Sequence, residues 1–166
     1  MIEALRRLPV DVRVAAGAAI AVAMLGGLAT QLGPWYYNLA QPPWKPPDWA
    51  FGPAWTLIYT LTAIAAVQGW RAAADSASRR RVTVVFGVNA VLNVLWSVLF
   101  FTLQRPDFAL AEAVPFWLSI AALIGVALPL SRRAAWLLMP YLVWVAYAVA
   151  LNAAVVQLNG PFGSGA

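Results

Sequence analysis

Five stretches of this chain stay apolar long enough to cross a bilayer, and its polar residues gather between them. The runs cover 14–32, 53–70, 82–103, 110–130 and 134–156. A hydrocarbon core about 30 Å thick takes roughly 20 helical residues, so each run is long enough to span or nearly so. The period-2 alternation of a barrel strand is missing, and backbone groups in lipid must be satisfied internally. The pattern therefore predicts an all-α integral membrane protein, with residues 1–166 forming a single domain of five transmembrane helices. No repeat of solenoid period is visible.

The pattern changes between the first two runs. Residues 34–59 read PWYYNLAQPPWKPPDWAFGPAWTLIY, with Trp35, Trp44, Trp49 and Trp55 set among six prolines. Proline fixes φ and removes a donor, and indole rings bury a large area for few rotatable bonds. A flexible tether would be built from Gly and Ser. This segment reads as a stiff aromatic cap, with Trp55 and Tyr59 as the wall of a pocket and Trp44 and Trp49 as an interfacial anchor.

Composition and charge fix the solvent and the orientation. Hydrophobic residues make up 63% of 166 positions and charged residues 10%, and the mean hydropathy is +0.74. Soluble domains are about a quarter charged. With five spans, one side collects Arg6, Arg7, Arg13, Arg71, Arg79, Arg80, Arg81, Arg132 and Arg133, while the other holds Lys45 and Arg105. That asymmetry predicts a cytoplasmic N-terminus, with the cap on the opposite side, and supports residence in a cytoplasmic membrane. Orientation accounts for the net charge of +5 without a nucleic-acid partner. The arginine cluster after the second run also suits contact with anionic lipid headgroups. Glu3 and Asp11 dilute the basic N-terminal region, and the apolar run that follows exceeds a signal peptide's, so it reads as a permanent helix.

The chain has no cysteine and no histidine. Disulfides, thiolate nucleophiles, Cys/His metal sites, Ser-His-Asp catalysis and histidine-ligated haem are thereby excluded. Of six carboxylates, Glu112 alone lies inside a run, about one turn from its start. No Gly-rich phosphate loop is present, and the intramembrane ionisable residues of a proton-driven transporter are almost wholly lacking.

Helical spacing then sorts the faces. Ala15, Ala19, Ala23 and Gly27 form a ridge of small residues on the first helix, for packing within the bundle or against a second copy. Asn89, Asn93, Trp96, Ser97 and Phe100 form one stripe on the third. Amides are costly in hydrocarbon without partners, so this stripe faces inward, for interhelical hydrogen bonds or for a ligand. Phe51, Trp55 and Tyr59 line up on the second helix, and Tyr141, Trp144, Ala148, Leu151, Asn152 and Val155 on the fifth. Ala148, one turn after Trp144, leaves room beside the indole. Together these faces describe a mostly apolar pocket with few polar groups.

These blocks carry a family resemblance. Trp35, Tyr36, Leu39, Pro42, Trp44, Pro46 and Pro47 match a W-Y-x-x-L-x-x-P-x-W-x-P-P pattern, followed by Phe51, Pro53, Trp55, Thr56 and Tyr59. Asn93, Trp96, Ser97, Phe100 and Phe101 supply the third-helix block, and Pro140, Tyr141, Trp144, Leu151 and Asn152 the fifth. The chain resembles the TspO/MBR family, the tryptophan-rich sensory proteins of bacteria and the mitochondrial translocator protein. That resemblance implies a five-helix bundle, commonly a homodimer, binding a porphyrin such as protoporphyrin IX beneath the first loop, with no resident cofactor. Isoquinoline- or benzodiazepine-type compounds are further ligands of the family. Its pocket positions fall on Tyr36, Phe51, Trp55, Tyr59, Asn93, Trp96, Trp144 and Ala148. Without histidine, a metal-free porphyrin suits the chain better than a ligated haem. The family's steroid-recognition pattern needs a basic residue after its fifth-helix tyrosine, and no Lys or Arg follows Arg133. The expected function is a porphyrin sensor or carrier. Two alternatives stand beside it: light-dependent porphyrin breakdown using Trp55 and Trp144, and a scaffold bundle for a protein partner.

Overall fold

A computed structural model describes residues 8–162, so Glu3, Arg6 and Arg7 of the charge pattern lie outside the described residues. The five apolar runs are five long helices: α1 (Val10–Ala29), α2 (Phe51–Ala72), α3 (Ser76–Ser97), α4 (Pro106–Ala127) and α5 (Arg132–Asn159). All five are long and apolar enough to cross a membrane. Among the described residues there is no strand.

Every helix begins before its apolar run, by two to six residues, and at α3, α4 and α5 a cap or a proline rather than lipid sets the start. Asp75 caps α3 by accepting the Ser78 N–H at 2.8 Å, so the helix takes in Arg79–Arg81 ahead of the apolar stretch. Ser131 caps α5 in the same way through the Ala134 N–H at 3.2 Å, and Pro106 opens α4 at a position where its missing donor costs nothing. At its far end α3 widens into a π turn, Val98–Thr102, with the Leu103 N–H reaching the Val98 carbonyl at 2.8 Å. The extra residue turns both Phe100 and Phe101 toward the bundle interior.

The helices close a ring in the order α1–α2–α5–α4–α3, with α2 and α3 also touching across it. Ile120, Leu123, Leu138 and Val145, all fully buried, make the densest packing, between α4 and α5. In lipid, apolar contact alone does not drive helices together, and polar pairs contribute to register. Asn152 on α5 is the clearest case. In the orientation that satisfies its amide, it donates to the Pro106 carbonyl at 3.1 Å and accepts from the Leu110 N–H at 3.0 Å.

Helix α1 is the loosest member, with only Gly26 and Ala29 buried. It is held at its two ends. Thr102 Oγ1 donates to the Ala29 carbonyl at 3.1 Å, and Gly26 lies against the Tyr59 and Ser97 hydroxyls, which a Cβ would meet at 3.7 and 3.8 Å. The close approach thus falls on Gly26, one residue before the Gly27 of the expected ridge, whose Cβ would meet nothing within 4 Å. At the opposite end the Arg71 guanidinium grips Asp11, its Nε at 2.5 Å.

Candidate functional site

The cap lies between α1 and α2, at the end of the bundle away from the arginine cluster Arg79–Arg81. One short helical turn, Pro34–Asn38, and a 3₁₀ turn, Asp48–Ala50, give it internal structure. Three sets of contacts pin it down. Tyr36 Oη donates to Asp48 Oδ1 at 2.9 Å, and Lys45 pairs with the same carboxylate oxygen. Tyr147 on α5 donates to the Trp44 carbonyl at 3.0 Å, under an edge-on Trp44–Tyr147 contact of 5.6 Å. Asn159, at the end of α5, clasps Ala40 twice, accepting its N–H at 2.7 Å and donating to its carbonyl at 2.9 Å. Trp49 projects outward and is 76% exposed.

Beneath the cap is a chamber of about 140 Å³. Of the eight expected pocket residues, Tyr36, Phe51, Trp55, Trp96, Trp144 and Ala148 line it. Phe51 meets the Trp144 ring edge-on at 5.7 Å, and Trp96 stacks on Phe100 at 5.2 Å. Two donors on the chamber wall have no acceptor among the described residues: the Trp144 indole N–H and the Gln41 amide N–H, both buried. The Lys45 ammonium lies on the same wall. An apolar chamber with two spare N–H donors beside a Lys45–Asp48 ion pair is complementary to a flat apolar ligand carrying acceptor groups such as carbonyls or carboxylates.

Tyr59 and Asn93 do not line the chamber. They begin a polar layer below it. Tyr59 Oη donates to Asn93 Oδ1 at 3.0 Å, Asn93 Nδ2 to Tyr141 Oη at 3.1 Å, and Tyr141 Oη to Asn89 Oδ1 at 3.2 Å. Asn89 Nδ2 then donates to Ser119 Oγ at 2.8 Å, and Ser119 Oγ to the Phe116 carbonyl at 2.6 Å. Every donor points the same way along a relay that ties α2, α3, α5 and α4 together. Trp55, stacked on Tyr59 with centroids 5.4 Å apart, joins this layer to the chamber. Glu112, the lone carboxylate of the apolar runs, lines neither the chamber nor this layer, and both its oxygens are buried without a partner among the described residues.

Sequence spacing did not reveal Gln41, Lys45 and Asp48 on the chamber wall, or Tyr147 and Asn159 as cap anchors. The first three sit in an aperiodic loop. The other two reach the cap across more than a hundred residues of sequence.

The Tyr36 hydroxyl is held above the ordinary tyrosine range, first by burial and then by the Asp48 carboxylate that accepts its hydrogen bond. A raised folded-state value stabilises the closed cap fully below about pH 10, the unfolded value, and that support is lost as pH rises through the folded value. Amide exchange across residues 36–48 is therefore expected to stay constant from about pH 6 to 9, after correction for the intrinsic rate, and to quicken only in strong alkali. Tyr36→Phe should raise exchange there about two- to tenfold at neutral pH, the worth of one net hydrogen bond. It should also erase the alkaline step; a step that survived would assign it to another group.

Residues 15–158 match the model of the TspO/MBR family. The tryptophan-rich protein TspO of Chlorobaculum tepidum is 36% identical over 149 residues, covering 86% of this chain and 92% of its own length. A tryptophan-rich sensory protein of Cereibacter sphaeroides is 34% identical over 75% of this chain and 77% of its own, and the translocator protein of Homo sapiens 29% identical over 75% of each. The cap, the aromatic chamber and the asparagine layer all fall within the matched residues, and the chain belongs to the TspO/MBR family.

Proposed function

We propose that this chain is a membrane receptor or carrier for porphyrin-like tetrapyrroles, held in the chamber beneath the cap with its arginine-rich end toward the cytoplasm. The observation that carries this reading is the pair of unsatisfied buried donors, Trp144 and Gln41, beside Lys45 in an aromatic enclosure. A macrocycle's rings find the indoles, and its carboxylates find the donors and compete with Asp48 for the Lys45 ammonium. The names of relatives, sensory protein and translocator protein, agree with a ligand-responsive membrane protein.

The chamber's 140 Å³ falls below the roughly 300–1,000 Å³ of sites for drug-sized ligands. Binding on this reading requires the cap to lift. Each cap hydrogen bond is worth about 0.5–1.5 kcal/mol net, so releasing the Tyr147 and Asn159 anchors lies within a ligand's reach. Family ligands of isoquinoline or benzodiazepine type would enter the same way.

A second reading is light-dependent porphyrin breakdown. It draws on the Trp55–Tyr59 stack, which sets an oxidisable ring beside the chamber and over a phenol with a hydrogen-bond acceptor. One experiment addresses both readings. Protoporphyrin IX titrated into the solubilised protein should shift its Soret band saturably and protect the cap from proteolysis; a linear, unsaturable response would refute binding. The same sample illuminated, against dark and free-tryptophan controls, should lose porphyrin absorbance faster only if the chain is an enzyme.

A further inference from the structure

The cations of this chain are unevenly matched with carboxylates. Lys45, Arg71 and Arg105 each have one: Asp48, Asp11 and Asp107. Arg79, Arg80 and Arg81, on the first two turns of α3, have none among the described residues. Arg79 is nonetheless held in place. Its Nε donates to the Ala73 carbonyl at 3.3 Å, and its guanidinium lies over the Trp70 ring, 5.5 Å from the centroid. Orienting the chain in a membrane requires the charge of this arginine but not its seat on an indole. A guanidinium carries five N–H donors, so most of those on Arg79 remain for another acceptor.

Trp70 near the end of α2, with Arg79, Arg80 and Val84 on α3, lines a recess of about 390 Å³ at the junction of the two helices. Asp75 borders it too, but its two oxygens are engaged at the start of α3, by the Ser78 N–H and the Ser78 hydroxyl, each at 2.8 Å. The protein's own carboxylate thus closes the helix N-terminus, and an incoming anion meets the guanidiniums instead. Two arginines against one aspartate leave the recess with a surplus of positive charge.

The place of the recess selects the source of the anion. Helix α2 ends at Ala72 and α3 begins at Ser76, so the recess lies at the level of lipid headgroups, where an indole such as Trp70 is at home. Trp70 and Val84 give it an apolar side. A free phosphate would bury nothing against that side, whereas the glycerol and first methylenes of a phospholipid would. Arginine forks match phosphate oxygens two at a time.

We propose that the recess of Trp70, Arg79 and Arg80 is a binding site for one anionic phospholipid, its phosphodiester held by the two guanidiniums and its glycerol backbone laid against Trp70 and Val84. The site is at the opposite end of the bundle from the capped chamber and needs no porphyrin.

The test is native mass spectrometry of the full chain in micelles carrying phosphatidylglycerol, phosphatidylethanolamine or phosphatidylcholine with matched acyl chains. One saturable phosphatidylglycerol adduct is expected, at least about tenfold tighter than either zwitterionic lipid. Arg79→Gln with Arg80→Gln should weaken it about tenfold or more. Arg132→Gln with Arg133→Gln removes the same charge from the same end of the bundle without touching the recess, and should leave the adduct unchanged. A second readout needs no variant. Phenylglyoxal, which modifies free guanidinium groups, should label Arg79 and Arg80 in phosphatidylcholine nanodiscs, and phosphatidylglycerol should protect them while Arg132 and Arg133 stay reactive. Equal weakening by the Arg132 and Arg133 changes, or equal protection of all four arginines, would reduce the effect to overall charge and overturn the site. Equal retention of the zwitterionic lipids would overturn it as well. Displacement of the adduct by millimolar inorganic phosphate would make this a site for a soluble anion and overturn the lipid assignment.

Discussion

Replacing Trp55 and Trp144 together with phenylalanine is expected to lower protoporphyrin affinity about 10- to 100-fold. Both rings line the chamber, from α2 and α5 respectively. Phenylalanine keeps a ring but loses stacking area at each position, and aromatic contacts are worth about 0.5–1.5 kcal/mol beyond simple burial. Trp144 also loses the buried indole N–H that has no acceptor in the unliganded chain, a hydrogen bond of about 0.5–1.5 kcal/mol. Because phenylalanine keeps part of each stacking contact, the total loss is about 1.4–2.7 kcal/mol, which gives the stated range. The measurement is a Soret titration, because intrinsic fluorescence changes with the loss of two indoles. Trp49→Phe is the control: that ring is 76% exposed and should leave the titration unchanged. An unaltered affinity in the double variant, with helicity intact by circular dichroism, would place the porphyrin outside the chamber.

The sequence disclosed faces but not depth, and that distinction explains where its reading stopped. A 3.6-residue period gives the angle at which a side chain leaves its helix, so Phe51, Trp55 and Tyr59 were correctly put on one stripe, as were Asn93 and Trp96. Each residue also rises about 1.5 Å along the axis. Tyr59 therefore sits about 6 Å below Trp55, and Asn93 about 4.5 Å below Trp96, far enough to pass from the chamber into the relay beneath it. Periodicity carries no marker for that boundary. The ridge on α1 shows the same limit: Ala15, Ala19 and Ala23 face the α1–α2 seam, but the glycine in close approach is Gly26, which meets Tyr59 and Ser97, and not Gly27. The number of helices was legible because each must bury its own backbone hydrogen bonds across the lipid. The cap's closure was not, because Tyr147 and Asn159 are anchors only once α5 has been folded back beneath the loop.

The relay makes Asn93 the position where a single change should cost most in stability. Asn93→Leu keeps the volume but removes both the acceptor for Tyr59 and the donor to Tyr141. Interhelical hydrogen bonds in membranes average about 0.6 kcal/mol and reach about 1.7, since the separated helices also find partners. Two of them, plus a Tyr59 hydroxyl left in an apolar setting, give a loss of about 2–4 kcal/mol. Unfolding by SDS in mixed micelles, followed by circular dichroism, is the measurement. A double-mutant cycle distinguishes this cause from a packing defect. Tyr59→Phe alone should cost less, because it removes the relay's first donor and leaves Asn93 bonded to Tyr141. In Asn93→Leu the same change removes the hydroxyl that would otherwise be orphaned, so the double variant should be more stable than the sum of the two singles predicts. Strict additivity would mean that the Tyr59–Asn93 bond contributes nothing, and that Asn93 supports the bundle only through Tyr141.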